Sequence, residues 1–159
     1  MLESHLCAIE TSAGVRIDGA TVVQQSGING LHASGDLTIS NADVRLSGDG
    51  TWCYGDFTIS DSAVDISGLA EYGIFCSKRL SISGRSTVSA WVTGANPDSD
   101  TSAAIGAGTI DIGKGLSITQ PENGFVGEHK PRPNTAYQTV YADADSTIPA
   151  KKVTIGPTP

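Results

Sequence analysis

The chain repeats one segment several times with almost no gaps between the copies. Four close copies and a fifth, looser one read AIETSAGVRIDGATV (8–22), GLHASGDLTISNADVRLSG (30–48), GTWCYGDFTISDSAVDISG (50–68), GIFCSKRLSISGRSTV (73–88) and AAIGAGTIDIGKGLSIT (103–119). The four close copies are offset from one another by 22, 20 and 23 residues. A fixed period near this length is typical of a solenoid, whose units each cover the apolar face of a neighbour. We therefore expect a stack of coils whose function lies along its surface.

Apolar residues alternate with hydroxyl residues inside each copy, as a strand with one buried face requires. The alternation is clearest in LTIS (37–40), FTIS (57–60) and LSIS (80–83). A second short strand follows, in which Val44 and Leu46 match Val64 and Ile66, with Val22 and Val88 in the same column as the two valines. Gly, Asn and Asp between the strands supply turns of positive φ.

These patterns predict an all-β fold, a parallel β-helix that stacks short strands in register. We expect about five rungs and a right-handed coil, given the handedness of parallel crossovers. A leucine-rich horseshoe has an overlapping period, but the L-x-x-L-x-L-x-x-N framework is missing. The repeats occupy residues 1–119, and residues 120–159 form a loop, a capping strand and an extended tail.

The last part of the chain breaks the repeat. Residues 120–134, QPENGFVGEHKPRPN, are predicted as a loop from their three prolines and two glycines, and KVTI (152–155) as a short strand. We expect this part to cap the last rung and to block edge pairing. The closing GPTP (156–159) is predicted to leave as a tail, and a linker to a neighbouring module is an alternative for it.

Charge and composition limit the classes of partner. The formal net charge of −7 argues against a nucleic-acid partner, because phosphate binding needs clustered Lys and Arg. No apolar run reaches the roughly 18 residues of a membrane helix, so membrane insertion is not expected. The opening MLESHLCAIE lacks the basic and apolar regions of a signal peptide. The chain is either cytosolic or a mature or excised segment, and we expect the second, with an extracellular or cell-surface location.

Two of the three cysteines fall in one column. Cys53 and Cys76 are equivalent in adjacent copies, and the column continues with Ala33 and Ala107, which marks an inward position for small residues. Stacked strands hold such Cα atoms about 4.8 Å apart, but parallel Cβ vectors leave the Cβ atoms wider apart than a disulfide prefers. We expect two buried free thiols, with a disulfide as the open alternative.

Catalytic and metal motifs are weak. Lys78, Arg79 and Arg85 near Asp56 and Asp61 could form a polysaccharide-cleaving face, but such a cluster is more typical of a solvated turn. No Cys/His spacing suggests zinc, and the three histidines, at positions 5, 32 and 129, are scattered. No copy reads G-G-x-G-x-D, although calcium between turn aspartates remains open. We therefore predict no catalytic residues, no metal ligands and no cofactor, with calcium possible between the turn aspartates Asp36, Asp49 and Asp56.

The most suggestive outward column contains rings. If Leu31 and Ala33 point inward, His32 points outward, and its equivalents are Trp52 and Phe75, with Tyr54 in an adjacent outward column. Exposed rings at the rung spacing can stack against the C–H faces of sugar rings, and they form a patch of the kind that marks binding sites. The alternative is that the segment after Gln120 covers these rings. A second outward ladder of Thr and Ser resembles ice-binding solenoids, but hydroxyl packing between strands explains it as well.

The runs GLHASGDLTIS, GIFCSKRLSIS and AAIGAGTIDIGKGLSIT with the closing AKKVTI are similar to the Gly/Ile/Thr-rich repeats of bacterial cell-surface carbohydrate-binding β-helix proteins. The resemblance covers residues 8 to 155. It implies a right-handed β-helix, export, and binding of cell-wall or plant polysaccharide, sometimes with calcium. Members often carry D-G-I in each repeat, whereas only Asp49-Gly50-Thr51 keeps the Asp here.

The sequence therefore favours a non-enzymatic carbohydrate-binding or adhesin-like module of a bacterial secreted or cell-surface protein. Its ligand-binding residues would be His32, Trp52, Tyr54 and Phe75, and its partner a polysaccharide or cell-surface glycan. A polysaccharide lyase or hydrolase is the enzymatic alternative. A purely structural stalk is the third.

Overall fold

The computed structural model describes residues 7–24, 29–69, 71–94 and 99–158. The expectations for His5 and Pro159 concern residues outside these ranges. The described chain is all-β and forms a β-solenoid of about four turns. The predicted parallel β-solenoid is confirmed, and its handedness stays a prediction.

Each of the first three coils contains three short strands. They are β1 (Cys7–Thr11), β2 (Val15–Asp18) and β3 (Thr21–Gln24), then β4 (Asn29–Ala33), β5 (Leu37–Ser40) and β6 (Asp43–Gly48), then β7 (Thr51–Cys53), β8 (Phe57–Ser60) and β9 (Ala63–Gly68). In the fourth coil the first two strands merge into β10 (Tyr72–Ser83), which β11 (Thr87–Val92) follows. Every strand of the first three coils pairs in parallel with its equivalent in the next coil.

The repeat fixes the register of the stack. The central isoleucines of successive copies, which are Ile17, Ile39, Ile59 and Ile82, pair in one buried column. Val44 pairs with Val64, and Leu46 with Ile66, as predicted. Side chains alternate along a strand with a period of two, so a slip by one residue would turn every apolar side chain outward. The apolar pattern therefore permits only the observed register.

One corner of the solenoid requires left-handed backbone in every coil. Gly19, Asn41, Asp61 and Gly84 follow the second strand of their coils and have φ values of 62°, 50°, 47° and 68°. Gly, Asn and Asp tolerate this region better than other residues do. The residue types that the sequence places between strands are thus the ones that the corner needs.

Turn aspartates connect adjacent coils through the backbone. Asp36 Oδ1 accepts a hydrogen bond from the Asp56 amide at 2.9 Å, and Asp56 Oδ1 accepts one from the Arg79 amide at 3.1 Å. Asp61 Oδ1 likewise accepts from the Arg85 amide at 3.0 Å. These carboxylates satisfy amides that a turn would otherwise leave to solvent. No group of three or more His, Cys, Asp or Glu side chains in the described ranges is arranged to hold a metal ion.

Asp18 holds the first two coils together at their exposed edge. Its carboxylate accepts hydrogen bonds from Ser40 Oγ at 2.8 Å and Asn41 Nδ2 at 3.3 Å, and it forms an ion pair with Arg16 at 3.1 Å. The Ser40 hydroxyl, followed by Arg16 and Asn41, lowers the pKa of Asp18 to about 2. All three partners bind the charged form, so folding favours the carboxylate over the acid.

We predict that Asp18→Asn lowers the melting temperature at pH 7 and that its effect disappears in acid. A carboxyl group whose pKa is depressed in the folded state stabilises the fold above its unfolded pKa, near 4, and that stabilisation is lost as the pH falls toward 2. Melting curves of both proteins between pH 7 and pH 2 test this. A difference in melting temperature that stays constant over that range would contradict the assignment.

The cysteine column is confirmed. Cys53 pairs with Ala33 on one side and with Cys76 on the other, and Cys76 pairs with Ala107. All four residues are fully buried, and both cysteines are free thiols. Cys76 Sγ donates to the Gly55 carbonyl at 3.2 Å. Its hydrogen bond with Cys53, together with burial, raises the pKa of the Cys76 thiol. These thiols act as small core side chains.

The C-terminal region differs from the prediction. It contains β12 (Ala103–Ile112), β13 (Leu116–Gln120), β14 (Phe125–Arg132), β15 (Thr135–Tyr141) and β16 (Lys152–Pro157). β12 continues the parallel stack on β10, but β16 lies antiparallel between β11 and β13. Val153 and Ile155 of β16 are fully buried, so this strand supplies the apolar layer that a fifth coil would have supplied. The stack is therefore about four turns rather than five.

Two further predictions for this region are wrong. Residues 125–132 are not loop but β14, which pairs with β15 in an antiparallel hairpin, and β15 pairs with β12 at the edge of the first sheet. Gly156 and Pro157 belong to β16 and pair with Ser117 and Leu116, so they are not tail. No helical segment with the length and apolarity to span a bilayer occurs within the described part of the chain.

Candidate functional site

The predicted column of rings exists, but its members form two separate groups. His32 pairs with Trp52, and Trp52 with Phe75, in the expected register. The His32 ring contacts Tyr54, with centroids 5.5 Å apart, whereas Trp52 and Phe75 contact each other at 5.0 Å. Tyr54 is half exposed, at 50%, and the other three rings are partly buried. The sequence thus located the column correctly but overestimated the exposure of its rings.

Two tyrosines that the sequence analysis did not select complete the second group. The Tyr72 ring lies 5.5 Å from Trp52 and 4.8 Å from Phe75, and the Tyr137 ring lies 5.8 Å from Tyr72 and 6.5 Å from Phe75. Most of these contacts are edge-to-face or tilted, the arrangements that aromatic quadrupoles prefer. We call Trp52, Tyr72, Phe75 and Tyr137 the aromatic cluster. Tyr72 and Tyr137 are buried, at 8% and 5% exposure.

A glycine allows the cluster to form. The column that runs through Trp52 and Phe75 ends at Gly106 on β12. A Cβ atom there would lie 2.8 Å from the Tyr72 ring and 3.2 Å from the Tyr137 ring. Both rings therefore lie against the backbone at this point. Any larger residue would push them away from it.

The aromatic cluster forms one wall of a small cleft. The cleft has a volume of about 210 Å³, and its lining residues are Trp52, Glu71, Tyr72, Phe75, Thr101, Pro131, Arg132 and Thr135. The cleft thus lies between the solenoid, Thr101 and the turn of the β14–β15 hairpin. The alternative prediction was that the segment after Gln120 covers the rings. The hairpin in that segment instead lies beside them, so that the rings and the hairpin together form a concave site. Concave sites with an apolar lining and a few polar groups are typical of ligand binding.

The segment that carries Thr101 is fixed by buried polar groups. Lys151 Nζ donates hydrogen bonds to the carbonyl oxygens of Ser99 and Ser102. His129 Nε2 lies 2.6 Å from the Asp100 carbonyl, which can only accept, and His129 Nδ1 lies 2.9 Å from the Tyr141 hydroxyl. Burial lowers the pKa of Lys151. This wall of the cleft is therefore held in place without a ligand.

Charged groups of both signs lie at the cleft. Glu71 and Arg132 are both exposed, and neither forms a salt bridge within the described part of the chain. Both act on the Tyr72 hydroxyl: burial is the main cause that raises the pKa of Tyr72, the Glu71 carboxylate adds to the increase, and the Arg132 guanidinium opposes it. Burial also raises the pKa of Tyr137. The two phenols therefore stay neutral at physiological pH.

A larger hollow, of about 730 Å³, lies beside the same hairpin. Phe125, His129, Lys130 and Tyr141 are among its lining residues. Several of its polar groups are already paired: Lys130 forms an ion pair with Glu128 at 2.7 Å, and both ring nitrogens of His129 are engaged. The cleft at the aromatic cluster instead combines the rings of Trp52, Tyr72 and Phe75 with a carboxylate and a guanidinium that form no salt bridge in the described chain, so it is the better candidate site.

Two features of the chain explain why the sequence analysis did not select Tyr72, Arg132 and Tyr137. Period-2 alternation places Tyr72 on the same side as buried Ile74, yet its ring contacts Trp52 and Phe75, so alternation fails at the start of β10. Arg132 and Tyr137 lie in the segment predicted as loop and cap, which contains no repeat. Alternating side chains in TAYQTVY (135–141) were the available signal for a strand there.

Rings, an unpaired guanidinium and an unpaired carboxylate in one cleft can hold a polar molecule that has apolar faces. Among the described residues that line the cleft there is one carboxylate, that of Glu71, and no histidine or cysteine. No protein-family model, curated protein or solved structure matches the chain. The function is therefore inferred from the residues of the cleft.

Proposed function

We propose that the chain is a non-enzymatic carbohydrate-binding module that holds a glycan in the cleft at the aromatic cluster. The module would be part of a bacterial secreted or cell-surface protein, in which it could also serve adhesion. The observation that carries the proposal is the presence of Trp52, Tyr72 and Phe75 together in a concave site with unpaired Glu71 and Arg132.

A sugar ring fits the chemistry of this cleft. Its C–H faces pack on aromatic rings, and its hydroxyl groups need donors and acceptors at the edge of the ring. Glu71 supplies acceptors, Arg132 supplies donors, and the Thr101 and Thr135 hydroxyls supply both. The volume of about 210 Å³ lies below the range of about 300–1,000 Å³ that is usual for drug-sized ligands, which favours one residue of a glycan at a time.

The same lining supports binding rather than catalysis. Glycosidases usually work with a pair of carboxylates on opposite sides of the scissile bond. In the described part of the chain, Glu71 is the one carboxylate that lines the cleft. Lys78, Arg79 and Arg85, which the sequence analysis considered as a polysaccharide-cleaving face, do not line the cleft either.

A printed glycan library, probed with the wild-type protein and two single variants, tests the proposal. Thr135→Trp places a bulky ring in the cleft from an exposed position, so it should reduce glycan binding at least tenfold without removing core contacts. Thr87→Trp, at an exposed position of β11 that does not line the cleft, is the matched control and should bind like wild type. These variants are preferable to Trp52→Ala, because the partly buried Trp52 ring also stabilises the fold.

Three outcomes would contradict the proposal. Equal binding by wild type and Thr135→Trp would place the glycan elsewhere on the surface. The absence of binding to every glycan would favour a structural stalk. Release of unsaturated or reducing sugar from a bound polysaccharide would favour a lyase or hydrolase.

A further inference from the structure

We infer that the cleft selects glycans that carry a carboxylate, and that Arg132 is the residue that selects them. This inference rests on the proposed glycan-binding function. It concerns the class of sugar, such as a uronic acid, and a residue outside the four site residues that the repeat pattern indicated.

Arg132 is placed where a ligand would meet it. It is the last residue of β14 and pairs with Thr135 at the first residues of β15, so the hairpin turn fixes its backbone. Its side chain is exposed and lines the cleft opposite the rings of the solenoid. Of the other arginines, Arg16 is paired with Asp18 at 3.1 Å and Arg45 with Asp43 at 3.0 Å. Arg79 and Arg85 form no salt bridge in the described chain, but neither lines the cleft.

The chemistry of a free guanidinium favours a carboxylate. Its planar fork can donate two parallel hydrogen bonds to the two oxygens of a carboxylate, and such charge-assisted pairs are stronger than hydrogen bonds between neutral groups. The chain has a net charge of −7, so its overall field repels an anionic polymer. Any preference for an acidic glycan must therefore come from a local cation, and Arg132 is the arginine in the cleft.

Glu71 lines the same cleft and repels an anionic ligand, so the pairing with Arg132 must outweigh this repulsion, and the two charges have different roles. A carboxylate accepts hydrogen bonds from sugar hydroxyls, whereas only the guanidinium can pair with an anionic substituent. No salt bridge joins Glu71 to Arg132 in the described chain, so the guanidinium does not have to leave a partner before it binds. A sugar that offers hydroxyls at one edge and a carboxylate at the other satisfies both groups.

Two polymers of the same backbone provide the test. Polygalacturonate and its fully methyl-esterified form differ only at the carboxyl group, which is a charged carboxylate in the first and a neutral methyl ester in the second. Dissociation constants are measured for wild type, Arg132→Gln and the matched control Arg85→Gln at about 0.15 M ionic strength, where long-range attraction is screened. Arg132 and Arg85 are both exposed, so neither change should affect folding.

The inference predicts that wild type and Arg85→Gln bind the free acid about tenfold to hundredfold more tightly than the ester, and that Arg132→Gln binds both polymers equally. Equal affinity of wild type for both polymers, or an unchanged preference in Arg132→Gln, would overturn it. Binding of neutral library glycans without binding of either polymer would also overturn it and would leave the proposed function standing. Failure to bind any glycan would overturn both.

Discussion

Ile59→Asp is expected to unfold the protein. Ile59 is fully buried in the third coil, and it pairs with Ile39 on one side and Ile82 on the other. An unpaired carboxylate there would face only apolar side chains, at a cost of about 4 kcal/mol or more. Small domains have a total stability of about 5–15 kcal/mol, so a cost of this size removes a large share of it. Because each coil contacts only its neighbours, a break in the third coil separates the stack into two weaker parts.

The control for this variant is Thr58→Asp, one residue earlier on the same strand. Thr58 lies in the outward ladder between Thr38 and Ser81 and is partly exposed. The same carboxylate at this position stays hydrated, so we expect a loss within about 1 kcal/mol. Circular dichroism during urea unfolding gives both values. If Ile59→Asp unfolds at the wild-type urea concentration, the assignment of Ile59 to the core is wrong.

Gly50→Ala is the second change with a large expected effect. Gly50 has a φ of 82°, and its carbonyl accepts hydrogen bonds from the Gly30 and Leu31 amides at 3.1 and 3.2 Å. A Cβ atom there would collide with the carbonyl oxygens of Tyr72 and Gly73, the second of them at 2.5 Å. Left-handed strain and the forced backbone shift together cost about 2–5 kcal/mol.

Gly115→Ala separates the two causes. Gly115 has nearly the same φ, 84°, but nothing lies within 4 Å of the position that its Cβ would take. We expect it to lose about 1–2 kcal/mol from strain alone. The free energies of unfolding of both variants, measured in urea, provide the comparison. Equal losses would mean that no collision occurs at Gly50 and that the third and fourth coils are not packed as described.

The repeat determines the regular part of the fold and little else. Columns such as Cys53 with Cys76 follow directly from alignment of the copies, because identical patterns in a parallel stack allow one register. The end of the stack does not follow from the repeat, because the antiparallel strand β16, which comes after the β14–β15 hairpin in the chain, replaces the fifth coil. A short apolar alternation such as KVTI indicates a strand but not its partner or its direction.

The candidate site shows the same limit more clearly. Trp52 and Phe75 were found because they stand in a column, and column positions can be counted along the sequence. Tyr137 and Arg132 reach the site only through the pairing of β15 with β12, a long-range contact without a local signal. Whether a ring is exposed depends on such contacts, so sequence patterns could place the rings but could not predict the cleft.

The most direct test of glycan binding at the aromatic cluster uses the fluorescence of Trp52. The chain contains two tryptophans, and Trp91, on β11, is not among the residues that line the cleft. Trp91→Phe therefore leaves Trp52 as the single reporter, and Trp52→Phe leaves Trp91. Both variants are titrated with the strongest ligand from the glycan library. The proposed site predicts a saturable change in the emission of Trp52 and none in that of Trp91. A saturable change of Trp91 emission alone, or binding without any change at Trp52, would contradict it.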